Sequence, residues 1–124
     1  MNTIKYYGTM YFFYWKWKRD DIKSLTTFEA IKNWERTSST WNRNWCEKAN
    51  KWDVIRFYNS NKIWIWDFID VELIEKPVRI NLSTMSEWEL EQWSKNEWWS
   101  MVSIKEKWIN YFNKPTWNIR FVLL

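Results

Sequence analysis

The sequence predicts a single α+β domain over residues 1–124, a small β-barrel or twisted sheet with flanking helices. Three observations predict it. Ile69, Val71 and Leu73 alternate with Asp70 and Glu72, the pattern of a half-buried strand. Two segments, 26–33 and 83–95, open on Ser or Thr and then carry apolar residues at helical spacing. The elements run strand, helix, several strands, two helices, strand, with no internal repeat and no linker, an order that places helices beside one sheet.

The elements follow in order. Residues 4–14 read as an aromatic strand and 15–24 as a basic loop. Thr26 or Thr27 caps a short helix over 26–33 that turns Phe28, Ala30 and Ile31 inward. Residues 35–50 read as a short strand and then a loop. Asp53 to Tyr58 and Ile63 to Glu75 are strands, the second ended by Pro77. Val78 to Leu82 is extended. Ser83 or Thr84 opens a helix to about Lys95, with Glu87, Glu89 and Glu91 favoured in its early turns. Ser100 or Ser103 opens another to about Tyr111, and Asn118 to Leu124 is the last strand.

Composition narrows the function. With no His in 124 residues, His-based catalysis and His-containing metal sites are excluded. The single Cys, Cys46, excludes an intramolecular disulfide and a Cys-rich zinc site. No metal site and no cofactor are expected. The longest apolar run, Tyr6 to Trp15, is too short to cross a membrane. No small-residue cleavage site follows it. A soluble cytoplasmic protein without a membrane partner is expected. The net charge of +4 is uneven. Residues 1–62 hold 12 Lys and Arg against 6 Asp and Glu, and residues 63–124 hold 7 against 9. A basic half reads either as solvated surface or as a face for an anionic partner such as RNA.

There are 14 Trp and 1 Gly, where a chain of this length ordinarily carries roughly nine Gly. Trp34, Trp45, Trp52, Trp66 and Trp117 lie among turn formers and charges, where a chain needs residues that accept φ > 0. The expectation is that most of these Trp stand where the natural protein has Gly. A UGA codon, read as Gly in some bacterial lineages but translated as Trp, produces this pattern. The competing reading is an aromatic-rich binder, whose stacking Trp should alternate along strands instead of marking turns. Trp93 and Trp99 read as genuine tryptophans of a helical region.

With Gly at the suspect positions, FEAIKNWERTSSTW (Phe28 to Trp41) resembles the signature of the ASCH domain, a helix ending in Gly-x-Arg/Lys-Thr-x-Thr-x-Arg. KWDVIRFY (Lys51 to Tyr58) is similar to the family's Gly-Asp strand start. EQWSKNEWWS (Glu91 to Ser100) and YWKWKR (Tyr14 to Arg19) resemble segments of one subgroup, and NIRFVLL resembles the usual last strand. The resemblance covers nearly the whole chain. It implies a PUA-like barrel with helices alongside, and an RNA-related role centred on a cleft lined by the signature.

One bacterial branch of the family consists of amidohydrolases that remove acetyl from N(4)-acetylcytidine with a Lys, a Thr and a Glu. By resemblance these fall on Arg36, Ser39 and Glu97, and the Arg that ends the signature falls on Trp41. Arg36 is a consequential departure, because a guanidinium cannot give up its proton as a Lys can. The first reading is therefore an RNA- or nucleotide-binding module. Lys16, Lys18, Arg19 and Arg43 would hold phosphates; Arg36, Thr37, Ser39 and Thr40 would face a nucleotide; Trp99 would close over it by stacking. The alternative is a small amidohydrolase acting on an acetylated nucleoside, with Glu97 handling protons and Ser39 positioning or attacking the acetyl group. The second alternative is a structural or partner-binding domain, with Arg36 simply paired to Glu35 or Glu97 and Trp93 and Trp99 in the core. The cleft reading requires Arg36, Ser39 and Glu97 to converge in space.

Overall fold

The computed structural model describes residues 3–10, 18–24, 26–41, 43–59 and 67–124. Six strands form one mixed sheet: β1 (Ile4–Met10), β2 (Ser38–Trp41), β3 (Val54–Asn59), β4 (Phe68–Leu73), β5 (Val78–Ile80) and β6 (Thr116–Leu123). The pairing path is β1-β3-β4-β6-β2, with β5 also on β6. β1 runs parallel to β3, and the other pairs are antiparallel. β6 is the shared strand. Its last residues pair with β4, and its earlier ones pair with β2 and β5.

Alternation in β4 buries Ile69, Val71 and Leu73 as expected. They meet Ile55 and Phe57 of β3, Ile119 and Phe121 of β6, and Phe28 and Ile31 of the first helix. Each such side chain contributes about 1.5–3 kcal/mol by leaving water. Cys46 and Ala49 close this core from a 3₁₀ turn, Asn44–Glu47, and the segment after it.

α1 (Thr27–Lys32) is capped by Thr26, whose hydroxyl accepts the Glu29 amide at 3.1 Å. α2 (Glu87–Glu97) starts two or three residues later than expected. Ser83 and Thr84 belong to a separate 3₁₀ turn, Leu82–Thr84, that follows β5. Ser86 is the true cap, forming a reciprocal capping box with Glu89. Ser100 caps the next helical run: α3 (Met101–Ser103), a π turn (Ile104–Trp108) and α4 (Ile109–Tyr111). These helices and Ile22 enclose a second core of Ala30, Leu82, Leu90, Trp93, Trp98, Trp99, Ile104 and Trp108. α1 joins the two cores, with Phe28 and Ile31 in one and Ala30 in the other. Among the described residues, no helix is long and apolar enough to cross a membrane.

Three described residues other than Gly have positive φ, and all three are Trp: Trp34 (61°), Trp52 (78°) and Trp98 (100°). Trp34 follows the Asn33 C-cap of α1. The Glu35 amide bonds to the Ala30 carbonyl at 2.8 Å and the Trp34 amide to that of Ile31 at 3.2 Å. This is the Schellman motif, with Trp34 at its glycine position. Trp52 is the third residue of a turn closed by the Asp53 amide on the Asn50 carbonyl, 3.1 Å, again a position reserved for Gly. A left-handed backbone is therefore found as expected at 34 and 52, and not at 45 and 117. Trp45 sits in the 3₁₀ turn stacked on Tyr6, and Trp117 lies in β6, where alternation and pairing suit a bulky residue. Trp66 lies outside the described residues.

Candidate functional site

α2 presents Leu90, Trp93, Ser94 and Glu97 to the interior. The spacing i, i+3, i+4, i+7 is an apolar helix face whose last member is an acid. The Schellman turn after α1 then aims Arg36 back beneath the helices, two residues before β2. The two meet: Arg36 Nη2 lies 3.2 Å from Glu97 Oε1, with the side chains 5% and 1% exposed.

The rest of the group comes from β2 and β6. Arg36 Nη2 donates to Ser39 Oγ at 3.1 Å, and Nε donates to the Ser38 carbonyl at 2.9 Å. The Thr40 hydroxyl donates to Glu97 Oε2 and accepts the Trp93 indole N–H at 2.9 Å. Asn118, opposite Thr40 in the β2–β6 register, donates to Glu97 Oε2 at 2.9 Å. The Thr37 amide bonds to the Asn96 carbonyl at 2.8 Å and fastens the end of α2 to the start of β2. Arg36, Ser39, Thr40 and Glu97 thus converge from three elements. Asn118 was not anticipated; the available signal was an Asn inside a strand, where its propensity is poor.

Burial raises the Glu97 carboxyl above the ordinary carboxylate range, with Arg36 and the Thr40 hydroxyl pulling it partly back. Burial likewise lowers Arg36, against the pull of Glu97. Removing two charges from water is costly, and the bonds to Ser39, Thr40 and Asn118 offset part of that cost. One donor is left over. Arg36 Nη1 is buried with no hydrogen-bond partner among the described residues.

Trp99 lies over Arg36, 6.0 Å from ring centroid to guanidinium carbon, and its backbone bridges to Lys18. The Arg19 amide bonds to the Trp98 carbonyl at 3.0 Å, and Arg19 Nη1 reaches the Ser94 carbonyl at 3.0 Å. Lys18 Nζ donates to the carbonyls of Arg19 and Ile22. Lys18 and Arg19 therefore stand at the end of α2, on the side of Glu97, with their side chains also bonding carbonyls of the fold. Lys16 lies outside the described residues. Arg43 is placed elsewhere, exposed beside an open concavity lined by Tyr6, Asn44, Trp45 and Lys48.

Glu35 does not pair with Arg36. It accepts the amides of Lys23 and Ser24 and the Ser24 hydroxyl, which outweigh burial and hold it below its ordinary range. Cys46 is buried, and burial pushes its thiol up to about 11, which leaves it protonated and unreactive at neutral pH. Comparison with known proteins finds no matching family model, no matching curated protein and no matching solved structure.

Proposed function

We propose that the chain is an ASCH-like domain of the PUA-like barrel type whose Arg36–Glu97 site takes a nucleotide of RNA. The observation that supports this most is the convergence of a guanidinium, two hydroxyls and a carboxyl from α1–β2 and α2, beside the aromatic face of Trp99. Hydrogen-bonding groups next to an aromatic platform suit an unstacked base. Lys16, Lys18 and Arg19 supply phosphate contacts, which give affinity without sequence choice, and Arg43, placed elsewhere, does not join them. Binding of a single-stranded RNA should weaken steeply with salt, and Arg36→Ala should weaken it further at every salt concentration. Salt-independent affinity, or none, in folded protein removes the reading.

A second reading is favoured by one contact. The Thr40 hydroxyl donates to Glu97, a hydroxyl–carboxyl pair of the kind that activates a nucleophile. On that reading the site hydrolyses an acetylated nucleoside such as N(4)-acetylcytidine to acetate and cytidine, and Arg36 holds an oxygen instead of moving a proton. Acetate release that disappears in Glu97→Gln supports it. Folded protein with neither activity leaves a structural or partner-binding domain in which Arg36 and Glu97 serve each other.

A further inference from the structure

Trp98 combines three properties that an ordinary core residue does not. Its φ is 100°, a left-handed value that is a genuine outlier for a bulky side chain. It is 0% exposed, and its indole N–H has no hydrogen-bond partner among the described residues. Its backbone is nevertheless well held: the amide bonds to Ser94 at the end of α2, and the carbonyl accepts Arg19. The backbone at 98 is thus that of a helix ended by glycine, and the side chain is what fails to fit.

Composition does not account for this. Trp is 14 of 124 residues, yet it supplies all three described positive-φ positions outside Gly. The one Gly, Gly8, lies in β1 without positive φ. Trp34 and Trp52 point into solvent, 58% and 61% exposed, so their rings displace nothing. The Trp98 ring instead fills interior volume. It meets Trp99 at 5.0 Å between centroids, and the Arg36 guanidinium lies 6.0 Å from Trp99. Two buried donors without a hydrogen-bond partner among the described residues, Arg36 Nη1 and Trp98 Nε1, belong to side chains that each lie against Trp99. Buried donors are paired almost without exception, so each calls for an acceptor that the described residues do not supply.

We infer that position 98 is a glycine position, and that the Trp98 indole stands in a site for a flat heteroaromatic ring carrying a hydrogen-bond acceptor, lying against Trp99 with the acceptor toward Arg36 Nη1. A nucleobase is the ring class that satisfies both features, and that identification rests on the nucleotide reading above. As written, the chain carries its own ring in the place of the ligand. Glycine at 98 empties that place without disturbing the bonds that hold the backbone.

Two variants of the full chain test this. Trp98→Ala and Trp98→Gly leave nearly equal voids, but only Gly relieves the left-handed backbone. Trp98→Gly should melt above Trp98→Ala, the reverse of the order at Trp93 inside α2, where Gly is the poorer helix residue. Trp98→Gly melting no higher than Trp98→Ala overturns the glycine assignment. Indole and cytidine are then titrated by calorimetry. Both should bind Trp98→Gly at least tenfold more tightly than the unaltered chain, and adding Arg36→Lys should weaken cytidine while sparing indole. Indole binding without cytidine binding upholds the ring site and removes the nucleobase reading. Binding of neither overturns the site.

Discussion

Two features of this molecule occur both in the buried junction between α2 and β2 and at the surface. An arginine–carboxyl pair is one: Arg36–Glu97 in the junction and Arg56–Asp70 on the open face of the sheet. The left-handed Trp is the other: Trp98 in the junction, Trp34 and Trp52 in exposed turns. By distance the surface pair is the better formed. Arg56 grips Asp70 with two bonds of 2.8 and 3.0 Å, against one of 3.2 Å for Arg36 on Glu97. Yet both surface partners are about a quarter exposed, so water and salt substitute for either one. In the junction nothing substitutes, and each member needs the others. Geometry alone therefore ranks the two regions in the wrong order; solvent access decides.

The largest expected effect follows from that difference. Glu97→Ala strands a buried guanidinium and should cost about 3–5 kcal/mol in urea unfolding. A loss near that of a surface pair would mean that water reaches the junction and would break the comparison. Glu97→Gln sharpens it through pH. The folded-state value of Glu97 is raised, so its proton is held more tightly folded than unfolded. Its contribution is complete below the ordinary carboxylate range and is lost as pH rises through the raised value. The stability difference between the unaltered chain and Glu97→Gln should therefore shift toward the unaltered chain as pH falls. The opposite slope would show a carboxyl that burial does not dominate.

Next in size are the exposed turns. Strain at a non-glycine left-handed residue is on the order of 1–3 kcal/mol, and Trp34 and Trp52 bury little that a substitution would sacrifice. Trp34→Gly and Trp52→Gly should each raise the melting temperature. Trp117→Gly should lower it, because Gly weakens a strand interior. Equal shifts at the three positions would remove the backbone argument. The smallest effect belongs to the surface pair: Asp70→Asn should cost about 0–1 kcal/mol, and less in high salt.

Much of the frame was legible in the residues themselves. Alternation at 69–73 determined which face of β4 is buried, because successive strand side chains point to opposite sides. Thr26 and Ser100 marked helix starts through their hydroxyls. The α2 start was misplaced because Ser83, Thr84 and Ser86 all offer a cap and both Thr84 and Ser86 have Glu three residues on; Leu82–Thr84 forms a separate 3₁₀ turn, which leaves Ser86 to complete the box with Glu89. The misfit of Trp34 and Trp52 was legible too, since turn neighbours dictate backbone sign locally. Trp98 was not, because it falls in the short link expected between the helix ending near Lys95 and the one opened by Ser100 or Ser103, without the turn formers that mark 34 and 52.

Sequence alone determined that a cation, hydroxyls and a carboxyl were available at 36, 39, 40 and 97, and, of the five Trp positions where it called for φ > 0, the backbone has that sign at 34 and 52. Only the tertiary structure decided that Glu97 pairs with Arg36 and not with water, that Thr40 and Asn118 hold its second oxygen, and that Arg36 keeps one donor unspent. Those outcomes depend on which groups the packing of α2 against β2 and β6 shuts away from solvent. Exclusion of water belongs to the assembled layers, not to any one segment of the chain.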